Sequence, residues 1–314
     1  MNHRPQRGPE AGPALLVVGH GTRSAPGVAQ FHALIARIAG RAGVDVAGGF
    51  IELSPPPLTD AVATLVSAGH RRVVAVPLVL VAAGHSKGDI PAAMLRETLR
   101  NPGLSYTYGR PLGNHPTVLS LLEERLTAVL PATDRTDTAV LLVGRGTTDP
   151  DANAEVYKAA RLLWEGRNLH LVEPAFVSLA QPSVPEGLER CRRLGARRIV
   201  VLPYFLFPGV LPERVAAQAA EWATGHPGIG VRLAGLLGDC DELADLVLER
   251  YAEATAGQVR MNCDTCLYRV ALPGFEDRLG AAQRPHHHPH DPTGHPHPDH
   301  AHPGHGHPAA MHAH

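Results

Sequence analysis

One pattern runs through this chain twice. Leu15-Leu16-Val17-Val18-Gly19-His20-Gly21-Thr22 returns as Leu141-Leu142-Val143-Gly144-Arg145-Gly146-Thr147. Phe50-Ile51-Glu52-Leu53 returns as Phe176-Val177-Ser178-Leu179, and Arg71-Arg72-Val73-Val74-Ala75-Val76-Pro77 as Arg197-Arg198-Ile199-Val200-Val201-Leu202-Pro203. Three matches at nearly one separation, about 126 residues, mark a tandem duplication. The halves are placed at 13–133 and 134–255, with Asp134-Arg135-Thr136-Asp137 as linker, and a third segment runs over 256–314. A chain of 314 residues accommodates two domains of this size.

Each half alternates short apolar runs with amphipathic stretches. Strands are expected at 14–18, 44–50, 72–80 and 105–108, and again at 139–143, 170–176, 198–205 and 230–233. Helical periodicity falls between them, at 30–38, 58–68 and 92–99 for instance. Asp149-Pro150 reads as a helix cap followed by proline in the first turn. Continuous Val/Leu runs predict strands buried on both faces, hence parallel sheets. The βαβ alternation predicts a doubly wound, mainly parallel sheet flanked by helices in each half. Such sheets bind ligands at the carboxyl ends of their strands.

In the first half those ends carry chemistry. His20 follows the first strand, Glu52 the second and His85 the third. Two imidazoles and a carboxylate can hold a divalent first-row metal and leave positions open for substrate. The remaining histidines of the two halves, such as His32, His70, His115, His170 and His226, lack this setting and read as surface or loop residues. In the second half Arg145, Ser178 and Leu211 occupy the three equivalent positions, so each ligand is lost. One site per chain follows, with the second half as a lid or opposite wall. A guanidinium cannot ligate metal but binds carboxylates well. Arg23, Lys87 and Arg145 are therefore candidate binders of substrate carboxylates. Gly19-His20-Gly21 is not a dinucleotide loop, because Ser24 stands where the third glycine belongs. No Gly-x-Ser-x-Gly elbow of a serine hydrolase is present.

The last segment differs in kind. Twelve of the 20 histidines lie between His286 and His314, in a stretch lacking Val, Leu, Ile, Phe, Tyr and Trp. That composition predicts a disordered tail suited to metal buffering; a solubilising tail or a tag is the plainer reading. Cys263 and Cys266 form a lone C-x-x-C, which reads as a redox pair, a zinc site or an incidental spacing. Net charge is −1, which disfavours general nucleic-acid binding. No apolar run reaches membrane-span length, and the polar start holds no secretion-type stretch, so a cytoplasmic protein is expected.

Gly19-His20-Gly21-Thr22, Phe50-Ile51-Glu52, Gly84-His85, Gly144-Arg145-Gly146 and Met261-Asn262-Cys263-Asp264-Thr265-Cys266 together resemble the class II chelatases, in their long two-repeat form. The resemblance implies two chelatase-like repeats and insertion of a divalent metal into a sirohydrochlorin-type tetrapyrrole. Co(II) is the expected metal, for cobalamin synthesis, with Fe(II) or Ni(II) as alternatives. It also implies an iron–sulfur cluster at Cys263 and Cys266. A four-iron cluster usually needs four ligands, so Cys191 and Cys240, or a second subunit of a homodimer, would have to supply the rest, although Cys191 falls in a predicted helix and reads as structural. A non-catalytic metal carrier, or a tetrapyrrole lyase or isomerase without metal insertion, are the competing readings.

Overall fold

A computed structural model describes residues 12–258 and 276–278. The Cys263/Cys266 motif and the histidine-rich tail lie outside the described residues. The first repeat runs β1 (Ala14–Gly19), α1 (Ala25–Ala39), β2 (Val46–Phe50), α2 (Leu58–Ser67), β3 (Arg72–Pro77), a π-helical turn (His85–Asp89), α3 (Ile90–Arg100), β4 (Ser105–Tyr108) and α4 (Pro116–Thr127). The second runs β5 (Thr138–Gly144), α5 (Pro150–Trp164), β6 (Leu171–Phe176), α6 (Val184–Arg193), β7 (Arg198–Pro203), α7 (Val210–Thr224), β8 (Gly230–Leu233) and α8 (Asp241–Thr255). Each repeat forms one four-stranded sheet, ordered β2-β1-β3-β4 and β6-β5-β7-β8. Every strand pair is parallel.

The central strands are apolar throughout because both their faces are covered. Leu15, Val17, Val74 and Val76 belong to one core cluster, while Ala14, Leu16, Val18, Val73 and Ala75 line another on the opposite face. Asp149 caps α5 as its sequence suggests, accepting from the Asp151 and Ala152 amides, with proline in the first turn. The expected third strands overran. β3 and β7 stop at Pro77 and Pro203, whose missing N–H cannot continue the ladder. The apolar residues after them, such as Leu78 and Tyr204, enter the core from loops.

The repeats exchange their last helices. α8 of the second repeat packs on α1, β3 and β4 of the first. α4 of the first packs on α5 and β7 of the second. One core cluster accordingly contains Leu15 and Val17 beside Val140 and Leu142. Polar anchors follow the same exchange. Buried Arg250 on α8 donates to the carbonyls of Pro111 and Leu112, at 3.1 and 2.8 Å. Arg125 on α4 donates to those of Leu236 and Leu237, both at 2.8 Å. Arg110 grips Glu253 with two bonds, and Arg37 and Arg41 pair with Asp241.

Candidate metal site

The site is assembled by two loops that touch at a glycine. Gly21 has φ +106°, and a Cβ there would stand 1.8 Å from the Glu52 carbonyl oxygen. Only glycine allows both the dihedral and that approach. The loops after β1 and β2 are stitched by Ile51 N–H to Gly19 O and Glu52 N–H to His20 O, at 3.0 and 3.1 Å. His20 and Glu52 thereby become neighbours, with His20 Nε2 3.2 Å from Glu52 Oε1.

His85 arrives from the π-helical turn after β3. A π turn is one residue inserted into a helix, and it often marks a functional position. Its ring lies edge-on to His20, with centroids 4.3 Å apart and planes at 87°. One ligand atom from each of His20, Glu52 and His85 lies within 4.8 Å of the others, a group able to hold a metal ion. All three residues are half-buried. It is the one such group of three or more ligands among the described residues.

Both imidazoles have their far nitrogen engaged. His85 Nδ1 sits 2.7 Å from Asp89 Oδ2, and His20 Nδ1 3.2 Å from the Gly21 carbonyl oxygen. Acceptors there favour N–H on Nδ1 and turn the Nε2 lone pair toward the group, the arrangement that orients metal-ligating histidines. Asp89 escaped sequence reasoning. Its signal was a carboxylate four residues after His85, on the same helical face.

The second repeat reproduces the loop without the ligands. Gly146 has φ +83°, and its Cβ would stand 1.8 Å from Ser178 O. Ser178 N–H donates to Arg145 O at 3.0 Å. Leu211 lies in the first turn of α7 and packs against the core. Arg145 is half-buried. Burial pushes its guanidinium below the ordinary value, opposed by the negative charge of Glu52. Arg145 therefore stands within electrostatic reach of the ligand group. Arg23 is exposed on the loop between His20 and α1.

Lys87 is a correction. Its side chain is only 4% exposed, with Nζ 2.7 Å from Asp149 Oδ2 and 2.9 Å from Asp151 Oδ2. Burial alone would lower the ammonium, but the bonds to these two carboxylates raise it. Two of its three N–H donors are spent on these buried carboxylates, whose charge it already balances, so it is not placed to engage a substrate carboxylate. Cys191 is structural, as its helical setting suggests. It is fully buried in the second repeat's core, and burial pushes the thiol up to about 12, against the thiolate a cluster requires. The other histidines go elsewhere: His70 pairs with Asp45, His115 caps α4 and His226 stacks on Trp222. A groove of about 860 Å³ between α6 and α7 contains none of the triad.

A duplicated doubly wound fold with one two-histidine, one-carboxylate group defines a metal-handling α/β protein. The CbiX family model matches residues 14–129 and 139–254. The chain belongs to the CbiX family, the class II chelatases. It is 40% identical over 261 residues to sirohydrochlorin cobaltochelatase of Priestia megaterium, spanning 82% of this chain and 85% of that protein. A sirohydrochlorin ferrochelatase of the same species is 31% identical, over 74% of this chain and 87% of its own. Among solved structures, SirB from Bacillus subtilis with Fe3+ superposes with a TM-score of 0.70 at 27% identity, covering 80% of this chain and 99% of that one.

Proposed function

We infer that this chain is a sirohydrochlorin chelatase, a lyase that inserts a divalent metal into a carboxylate-bearing tetrapyrrole, with Co(II) as the substrate metal. The carrying observation is the cobaltochelatase relative, 40% identical over 82% of this chain. The triad gives the reading its chemistry. Nε2 of His20 and of His85, with a Glu52 oxygen, are proposed to hold the incoming metal and leave positions open for ring nitrogens. Two ring N–H protons leave as the metal enters, and no electron is gained or lost. As the metal passes to the macrocycle, the released imidazoles and Glu52 become bases within reach of those protons. Asp89 holds the His85 ring throughout. Arg145 and Arg23 are proposed to engage substrate carboxylates, Arg145 from a half-buried position within electrostatic reach of Glu52 and Arg23 from its exposed loop.

The repeats at 13–133 and 134–255 then have unequal work: the first carries the ligands, the second supplies a wall. The histidine-rich tail fits metal buffering on composition alone. The motif alone supports an iron–sulfur cluster at Cys263 and Cys266. With Cys191 locked in the core, one chain offers at most three thiolates, so a four-thiolate cluster would draw on a second subunit of a homodimer. A cytoplasmic setting is proposed from the sequence; separately, among the described residues no helix is long and apolar enough to cross a membrane.

Iron is the second reading, favoured by the ferrochelatase relative and by the SirB structure with Fe3+. Sites of this donor type bind both metals. An anaerobic absorbance assay with sirohydrochlorin and Co(II), Fe(II) or Ni(II), each against a metal-only control, decides. The expected result is enzyme-dependent conversion fastest with Co(II). Faster conversion with Fe(II) would move the chain to the sirohaem branch. Metal binding without conversion by any metal would make it a carrier.

A further inference from the structure

Resting on the reading of His85 as a metal ligand, we propose that the second repeat sets the metal affinity of the first, through a buried clamp of Lys87 between Asp149 and Asp151. Lys87 sits two residues after His85 in the same π-helical turn. Its ammonium crosses to the second repeat and meets two carboxylates there, at 2.7 and 2.9 Å. The three side chains are 4%, 3% and 6% exposed. Both acceptors are rigid. Asp149 is the cap of α5, and its other oxygen accepts from the Asp151 amide at 3.1 Å. Asp151 belongs to the first turn of that helix.

Other bonds anchor the turn to the first repeat. Tyr108 donates to the Ser86 carbonyl at 2.7 Å, and Ser86 Oγ donates to the Ala83 carbonyl at 3.1 Å. A π turn gains less from its own backbone than a regular α turn and holds its shape where surroundings impose it. The clamp imposes it from the second repeat, while Asp89 fixes the ring plane from within the turn. Lys87 is thus a positioning residue acting through His85. A repeat that has lost every ligand keeps a function at the site: it holds the third ligand in reach of the other two.

The test must separate positioning from support of the fold. Lys87→Met alone strands two buried carboxylates and can unfold the protein. The triple variant Lys87→Met/Asp149→Asn/Asp151→Asn removes all three charges, and asparagine still caps α5. Asp151→Asn leaves a one-to-one ion pair. Each is compared with wild type and His85→Ala, full-length with the tail histidines present in all four, by thermal unfolding and by anaerobic Co(II) titration read in the d–d absorbance of the triad-bound ion. Activity is followed separately. The expected result for the triple variant is a near-native unfolding midpoint with Co(II) binding weakened about 10-fold or more, the usual loss for a group that orients a ligand. Asp151→Asn should shift the same way by less. Native Co(II) affinity in the clamp variants that fold, alongside loss in His85→Ala, would overturn the clamp. Native affinity in His85→Ala itself would overturn the site.

Discussion

Turnover falls by about 100-fold or more when His20 and His85 are both changed to alanine, the scale on which positioned acid–base groups act. The double change removes both nitrogen donors and leaves Glu52 within electrostatic reach of Arg145. A lone carboxylate beside a guanidinium is a poor site for a divalent ion. The fold should survive. Both rings are half-buried at the loop ends and outside the three core clusters. Changes of this kind typically shift stability by about 1 kcal/mol. Initial rates at saturating metal, with circular dichroism on the same samples, check both halves of the prediction. Wild-type turnover in a folded double variant would remove the triad from the mechanism.

A chain ending at residue 137 is expected not to form a stable folded monomer. The helix exchange makes this a large effect. Without α8, the face of the first sheet bearing Leu15, Val17, Val74 and Val76 loses a covering layer. Leu243, Leu246 and Val247, each at most 2% exposed, leave with it. Burying one such side chain contributes about 1.5–3 kcal/mol. Three of them amount to a large share of the 5–15 kcal/mol typical of a whole domain. The carbonyls of Pro111 and Leu112 also lose the Arg250 guanidinium. On the other side, α4 loses β7 and α5. Near-UV circular dichroism and size-exclusion chromatography of the isolated half should show loss of fixed packing, aggregation or self-association. Co-expression of both halves should restore a soluble complex. A cooperative, monomeric isolated half would contradict the exchanged packing.

What sequence carried and what it hid divide along physical lines. β1 and β5 were legible because a strand covered on both faces must be apolar throughout. The triad was legible because a parallel sheet sends its loops to one edge, where His20, Glu52 and His85 recur after successive strands. The helix exchange was not. The apolar faces of α4 and α8 are equally suited to either sheet, and only three-dimensional packing chooses between them. Lys87 misled for a related reason: an ammonium near a cleft reads the same whether it faces substrate or two aspartates 62 and 64 residues away. The π turn left a faint trace. β4 begins one residue later relative to β3 than β8 does relative to β7. One inserted residue is what a π turn adds, and Asp89, the partner of His85, closes that turn.

Cobalt-edge anomalous diffraction from crystals of the full chain grown with one equivalent of Co(II) tests the central claim most directly. The predicted result is a peak about 2 Å from Nε2 of His20, Nε2 of His85 and a Glu52 oxygen, the usual spacing for first-row metals on such donors. No peak should appear beside Arg145, Ser178 and Leu211. A cobalt peak elsewhere in the two repeats, with His20, Glu52 and His85 bare, would contradict the account.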